Sequence, residues 1–205
     1  MTVRFIYFDL GRVLLDFTHE RGFRQIAYAC NGTEEQVRSA LMDSGLSDRY
    51  ETGDVSTSEF HQRFCETSGL TISESQLAHA WGDIFEIKAG TVALAAALRS
   101  ANIPIGILSN TCEAHWDLAS SKFPVLTQLF DPVVTSYEVR SMKPAVAICE
   151  SAAARVNLEP AELFFVDDRD ENVAAARALG WHARLFRSAR ELANDLESLG
   201  LRFAR

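Results

Sequence analysis

Val3-Arg4-Phe5-Ile6-Tyr7-Phe8-Asp9-Leu10-Gly11 opens the chain with a β-rich, largely apolar run that stops at an aspartate. Apolar side chains on consecutive positions mark a strand buried on both faces, as in a parallel sheet covered by helices. The pattern recurs downstream. Residues 103–108, 132–135, 163–166 and 183–186 are further short apolar or β-rich runs. Helical stretches lie between and after them: 90–100, rich in Ala and Leu; 171–179, closed by Gly180; and 189–199, closed by Gly200. Glycine ends helices well because it takes the left-handed conformation without steric cost. This alternation predicts an α/β fold with a Rossmann-like, doubly wound parallel sheet.

Residues 20–85 do not fit the alternation. They contain no convincing strand and read as helical pieces at 20–30, 34–43, 56–68 and 73–85. Asn31-Gly32, Thr52-Gly53-Asp54 and Ser68-Gly69 punctuate them. Thr33 with Gln36, and Ser56 with Glu59, fit the reciprocal capping box that satisfies the free N–H groups of a helix start. The expected organisation is a core formed by residues 1–15 and 88–205, with residues 16–87 inserted as a helical cap.

In an open parallel sheet, ligands bind beyond the carboxyl ends of the strands. The polar residues that follow the apolar runs should therefore converge: Asp9, Ser109-Asn110 and Asp167-Asp168. Lys143, in Ser141-Met142-Lys143-Pro144, follows the 132–135 run, and Pro144 suits the first position of the next helix. Asp9 and Asp168 supply hard oxygen ligands that suit Mg²⁺. A carboxylate beside such a cation can attack a phosphoryl group. Ser109, Asn110 and nearby backbone N–H groups can hold phosphoryl oxygens. Lys143 offers a fixed positive charge where negative charge develops. Singly, each residue has a plainer reading, as a turn aspartate, a surface lysine or a helix cap. A doubled aspartate at the end of a buried strand, however, costs stability unless a cation is present.

Phe8-Asp9-Leu10-Gly11, Leu108-Ser109-Asn110, Lys143-Pro144 and Val166-Asp167-Asp168, in that order, resemble the four motifs of the haloacid dehalogenase superfamily, whose members are mostly phosphatases. The resemblance runs over nearly the whole chain. Glu51-Thr52-Gly53-Asp54, followed by Ser58-Glu59-Phe60, is similar to the cap signature of the subgroup with a small helical cap, which includes a glucose-1-phosphate phosphatase. The resemblance implies a Mg²⁺-dependent hydrolase of a small phosphomonoester, with a sugar phosphate as the expected substrate. It implies Asp9 as nucleophile and metal ligand, the Gly11 carbonyl and Asp168 as further ligands, and Lys143 as the catalytic cation. It implies Asp167 as the residue that steadies Lys143, Asn172 as the residue that orients metal-bound water, and Ser109 and Asn110 as phosphoryl contacts.

The chain departs from the common pattern at Gly11. Most phosphatases of the superfamily carry there a second aspartate that protonates the leaving group and later activates water. Losing a general acid/base costs roughly 10²–10⁴ in rate. In one reading the substrate has a good leaving group, as an anomeric phosphate does, so that anomeric phosphates should outrun primary ones. In a second, another group substitutes, Asp16 being the nearest carboxylate in sequence, although a polar hinge into the cap is its plainer role. In a third, the chain is a weak regulatory pseudoenzyme. A dehalogenase would need no acid at position 11 and no Mg²⁺, so the doubled aspartate argues against it. Arg12 and Arg140 are unusual at their positions, and either could contact an anionic substrate, Arg12 being the stronger candidate. Trp116 follows the Ser109 loop and could line a pocket.

Composition narrows the partners. A net charge of −8 and a pI of about 5.1 argue against a nucleic-acid binder, which would carry a basic stripe. No segment reaches the length of a membrane span, and residues 3–8 are too short for a leader. Cys30, Cys65, Cys112 and Cys149 form no CxxC pair. His61 and Cys65 share a helical spacing, but further ligands for a metal are missing. Reduced thiols in a cytoplasmic protein are expected. The partner that the family resemblance implies is a small phosphorylated metabolite; nothing in the sequence fixes an oligomeric state.

Overall fold

The computed structural model describes residues 3–204. The elements run β1 (Phe5–Phe8), β2 (Leu15–Phe17), α1 (His19–Ala29), α2 (Glu34–Arg38), α3 (Leu46–Thr52), α4 (Thr57–Ser68), α5 (Glu74–Gly82), β3 (Phe85–Ile87), α6 (Ala89–Ser100), β4 (Ile105–Ser109) and α7 (Glu113–Lys122). They continue as α8 (Val125–Leu129), β5 (Val133–Thr135), α9 (Ser136–Val139), α10 (Val146–Val156), β6 (Leu163–Asp167), α11 (Asp170–Ala178), β7 (His182–Leu185) and α12 (Ala189–Ser198).

Five strands form one parallel sheet in the order β5-β4-β1-β6-β7. Its centre is buried on both faces, and every residue of β1, β4 and β6 is buried. Alternate residues of β1 serve opposite sides. Ile6 and Phe8 pack with Leu94 and Leu98 of α6 and with Leu192 and Leu196 of α12. Phe5 and Tyr7 pack with Ile148 and Ala152 of α10 and with Val173 and Ala176 of α11. Removing each large apolar side chain from water contributes about 1.5–3 kcal/mol, so the sheet centre is the rigid frame for whatever its strand ends carry.

The chain leaves this frame through β2 and returns through β3, which pair antiparallel with Leu15 opposite Ile87 and Phe17 opposite Phe85. Helices α1–α5 lie between them and share a separate apolar cluster around Phe23, Ile26, Phe60, Phe64 and Trp81. Cys112 and Ala114, at the start of α7, join that cluster and tie it to the sheet. Both expected capping boxes are present, at Thr33/Gln36 and Ser56/Glu59.

Four local expectations change. The stretch 34–43 is not one α-helix: α2 passes into a π-helical turn, Ser39–Asp43, which the Ser44 N–H to Ser39 carbonyl bond closes. Helix α5 stops at Gly82 rather than Phe85, because Phe85 is drawn into pairing with Phe17. Helix α3, flanked by Gly45 and Gly53 in the left-handed region, has no counterpart in the sequence reading. Pro144 does not open α10, whose first residue is Val146 behind an extended Ala145. No helix among the described residues is long and apolar enough to cross a membrane.

Candidate active site

Asp9 directly follows β1, Ser109 ends β4 and Asp167 ends β6, so the sheet brings these residues to one rim. Lys143 reaches the same place from the loop before α10 and is 5% exposed. Its Nζ lies 2.7 Å from Asp9 Oδ1 and 2.6 Å from Asp167 Oδ2, and it donates to the Leu108 carbonyl at 2.9 Å. Asp167 is wholly buried and also accepts both the Arg169 backbone N–H and the Asn172 side-chain amide. Asp9 accepts the Leu10 N–H at 2.7 Å.

Asp9, Asp167 and the exposed Asp168 each place a carboxylate oxygen within 4.8 Å of the others. Three carboxylates face one ammonium, so the cluster carries excess negative charge. Burial raises the Asp9 carboxyl above the ordinary aspartate range; Lys143 opposes this and Asp167 adds to it. Burial works against the Lys143 ammonium too, but Asp9 and Asp167 together hold its proton more tightly than usual. Asp168 is likewise raised, by burial and by Asp167. The Oδ1 atom of Asn172 is buried without a partner. An orphaned acceptor beside three oxygens of excess charge is the donor set that a hard divalent cation satisfies.

A cavity of about 200 Å³ opens over this cluster. Asp9, Gly11, Ser109, Asn110, Lys143 and Asp168 all line it.

A family model for haloacid dehalogenase-like hydrolases matches residues 6–180. The chain belongs to that family. Among curated relatives, D-ribitol-5-phosphate phosphatase of Bacteroides thetaiotaomicron is 23% identical over 188 residues, covering 87% of this chain and 89% of its own. A predicted haloacid dehalogenase-like hydrolase of Porphyromonas gingivalis superposes with a TM-score of 0.82 at 27% identity, covering 98% of this chain and all of the other. A family enzyme of Bacteroides thetaiotaomicron, solved with magnesium and inorganic phosphate, superposes with a TM-score of 0.79 at 25% identity, covering 91% and 95% of the two chains.

Within this haloacid dehalogenase-like frame, several side chains sit where sequence alone could not place them. Asn110 spends both ends of its amide on the Lys143 backbone: Nδ2 donates to the carbonyl at 2.9 Å, and Oδ1 accepts the N–H at 2.7 Å. Its side chain braces the lysine loop, a role distinct from the phosphoryl contact expected of it. Arg12 has φ of 59° and lays its guanidinium over the Phe17 ring, 4.6 Å from the centroid, at the cavity wall. Asp16 pairs with Lys88 at 3.1 Å beside the β2–β3 ribbon and does not line the cavity over Asp9. Arg140, a left-handed residue capping α9, and Trp116, packed against the sheet core, are not among the lining residues either. His61 Nε2 donates to the Ile72 carbonyl and lies 3.5 Å from Cys65 Sγ, a local helix contact with no further ligands among the described residues.

The wall also includes residues to which the sequence reading gave no role in the site: Phe17, His19, Arg169 and Glu51, which it placed only in the cap signature. Phe17 explains the glycine at position 11. A carbon built on Gly11 would lie 2.8 Å from Phe17 Cε1. The ring is held by Arg12, by Phe85 at 5.7 Å and by His19 at 5.3 Å. The space beside the nucleophile that a side chain at position 11 would enter is therefore filled. Gly11→Asp is expected to lower stability by about 1–3 kcal/mol through overpacking, with the loss relieved when Phe17→Ala is added. Denaturant unfolding of the three variants checks this; a fully stable single variant would mean that Phe17 moves freely.

Proposed function

We propose that this hydrolase is a Mg²⁺-dependent phosphatase that cleaves a small phosphomonoester, a sugar or polyol phosphate, through an aspartyl phosphate on Asp9. Residues 16–87 serve as its cap over a core formed by 1–15 and 88–205. The observation that carries the reading is the ion-paired cluster at the strand ends, with Asp9 held by Lys143 beside two further aspartates. Asp9, the Gly11 carbonyl and Asp168 would hold the cation, which when bound screens the phosphoryl oxygens and lets Asp9 act as an anion. Lys143 holds Asp9 in line and neutralises charge on the transferring group. Asp167 and Asn172 fix Lys143 and the rim, and the Ser109 hydroxyl meets the phosphoryl oxygens. Arg12 stands at the wall as a cation for an anionic substrate.

The cavity volume, about 200 Å³, falls below the roughly 300–1,000 Å³ of sites for drug-sized ligands, which favours a metabolite of a few carbons. The similarity to D-ribitol-5-phosphate phosphatase supports a polyol or sugar phosphate, and the neighbour solved with magnesium and phosphate supports the cation. The four free thiols fit a reducing compartment, the cytoplasm.

Chelation tests the reading. EDTA is expected to lower phosphate release from D-ribitol 5-phosphate or p-nitrophenyl phosphate by roughly 10²-fold or more, with Mg²⁺ restoring it. Activity indifferent to EDTA, together with halide release from a 2-haloacid, would move the chain to the dehalogenase branch of its family.

A further inference from the structure

With Phe17 beside Gly11, the nucleophile has no carboxyl neighbour in its own loop, and Asp16 is engaged by Lys88. Leaving a primary alkoxide undonated is costly, so the source of the proton is a question the cavity wall itself can answer. Two titratable groups face it from α1 and α3. His19, on α1, stacks on Trp81 at 5.5 Å, and burial lowers its affinity for a proton. Glu51, on α3, is different. Among the described residues no group hydrogen-bonds or ion-pairs with its carboxylate, although Glu51 is one of the residues that line the cavity over Asp9.

The position of Glu51 is built rather than incidental. The buried Ser136 hydroxyl, at the start of α9, donates to the Glu51 carbonyl at 2.6 Å and accepts the Thr111 N–H at 2.9 Å. That one hydroxyl joins α3 to the loop that follows Ser109. Two residues on, Gly53 has φ of 79°, and a side-chain carbon there would lie 2.2 Å from the Tyr137 carbonyl oxygen. Backbone meets backbone at this point because position 53 has no side chain. Helix α3 is thus seated on α9, and Glu51 is carried to the cavity with it.

We infer that Glu51 supplies the proton donor and acceptor that position 11 lacks, acting on the leaving oxygen from the cap side. The inference rests on the phosphatase reading. In the first step an Asp9 oxygen bonds to phosphorus, the bond from phosphorus to the ester oxygen breaks, and the Glu51 carboxyl proton passes to that oxygen to give the alcohol. In the second, the Glu51 carboxylate takes a proton from water as the water oxygen bonds to phosphorus. The bond between the Asp9 oxygen and phosphorus breaks, releasing inorganic phosphate and restoring the Asp9 carboxylate and the protonated Glu51.

Charge around Glu51 suits that cycle. Burial, with Asp48, raises its carboxyl to about 7; Arg169 opposes the rise and Asp9 adds to it. The buried Cys112 thiol also feels its charge, and His19, whose hold on a proton burial weakens, lines the same wall. An acid whose pKa lies near the working pH is the efficient one for both directions of transfer. Because the first step needs the protonated form, kcat/KM for an alkyl phosphate should fall as pH rises through the titration of Glu51.

The test compares Glu51→Gln with wild type on D-ribitol 5-phosphate and on p-nitrophenyl phosphate, whose leaving group needs no proton. The variant should lose roughly 10²–10³ in kcat/KM on the alkyl ester and under about tenfold on the aryl ester. It should lose the alkaline limb of the alkyl profile, and show a burst of p-nitrophenolate as the aspartyl phosphate accumulates. Glu51→Asp should recover part of the alkyl activity. Equal losses on both esters, or none, would overturn the assignment. Should Glu51→Gln melt early, the wild type decides by itself: a shallow dependence of kcat/KM on leaving-group pKa supports Glu51, and a steep one overturns it. If wild type releases phosphate from neither ester, or Asp9→Asn keeps its activity, the phosphatase reading fails instead. If those controls behave and only Glu51→Gln is silent, the failure belongs to this inference alone.

Discussion

Replacing Asp9 by Asn is expected to lower phosphate release by roughly 10⁴-fold or more, as removal of a covalent nucleophile does elsewhere. The amide matches the carboxylate in shape, so it can keep the 2.7 Å contact with the Leu10 N–H through its oxygen. It cannot attack phosphorus at a useful rate. Folding should be spared: Lys143 keeps Asp167 and the Leu108 carbonyl as partners, and one poorly solvated carboxylate is removed from a rim that holds three. The expected result is therefore an inactive protein with an unchanged or slightly raised melting temperature. Intact-mass analysis of quenched wild type should find a phosphoryl adduct that the variant lacks. A variant that is folded and as active as wild type would remove Asp9 from the chemistry.

The strand ends were legible because a buried parallel strand needs an unbroken apolar run, and the residue that breaks it stands at the ligand side of the sheet. Asp9, Ser109 and Asp167 follow from that rule alone. Helix starts at Thr33 and Ser56 were legible because capping is a contact within three residues. What escaped is what distant segments decide. The ribbon of β2 and β3 is three residues per strand, too short for a periodic signal, and its pairing partners are some seventy positions apart. Asn110 carries the side chain expected of a phosphate contact, but the Lys143 backbone, far along the chain, claims it. Glu51 belongs to a stretch read as a cap signature; its place over Asp9 depends on Ser136, 85 positions away. Phe17 accounts for Gly11 only once the ribbon has folded back.

Lys143→Met should cost about 3–5 kcal/mol of stability, the scale for breaking a buried ion pair from one side. The ammonium meets two carboxylates and a carbonyl, and Lys143, Asp9 and Asp167 are all buried. A thioether of similar length fills the space and takes the ammonium away from those acceptors, and Asp167, wholly buried, cannot turn to solvent. Asn172 and the Arg169 N–H still serve Asp167, so Asp9 is the residue left most exposed to the loss. Activity should fall by roughly 10²–10³-fold, the effect of removing one preorganised charge partner from a transition state. The two losses separate under Mg²⁺. A cation held, as proposed, by Asp9 and Asp168 would restore positive charge at the rim, so Mg²⁺ should raise the melting temperature of Lys143→Met more than that of wild type. It should not restore the rate, because the charge of Lys143 acts from the side of Asp9 that Asp167 holds. Guanidinium chloride unfolding with and without Mg²⁺ measures the first effect and phosphate release the second. A stability loss under about 1 kcal/mol, the value of an exposed pair, would show that the buried pairing of Lys143 with Asp9 and Asp167 does not hold the site together.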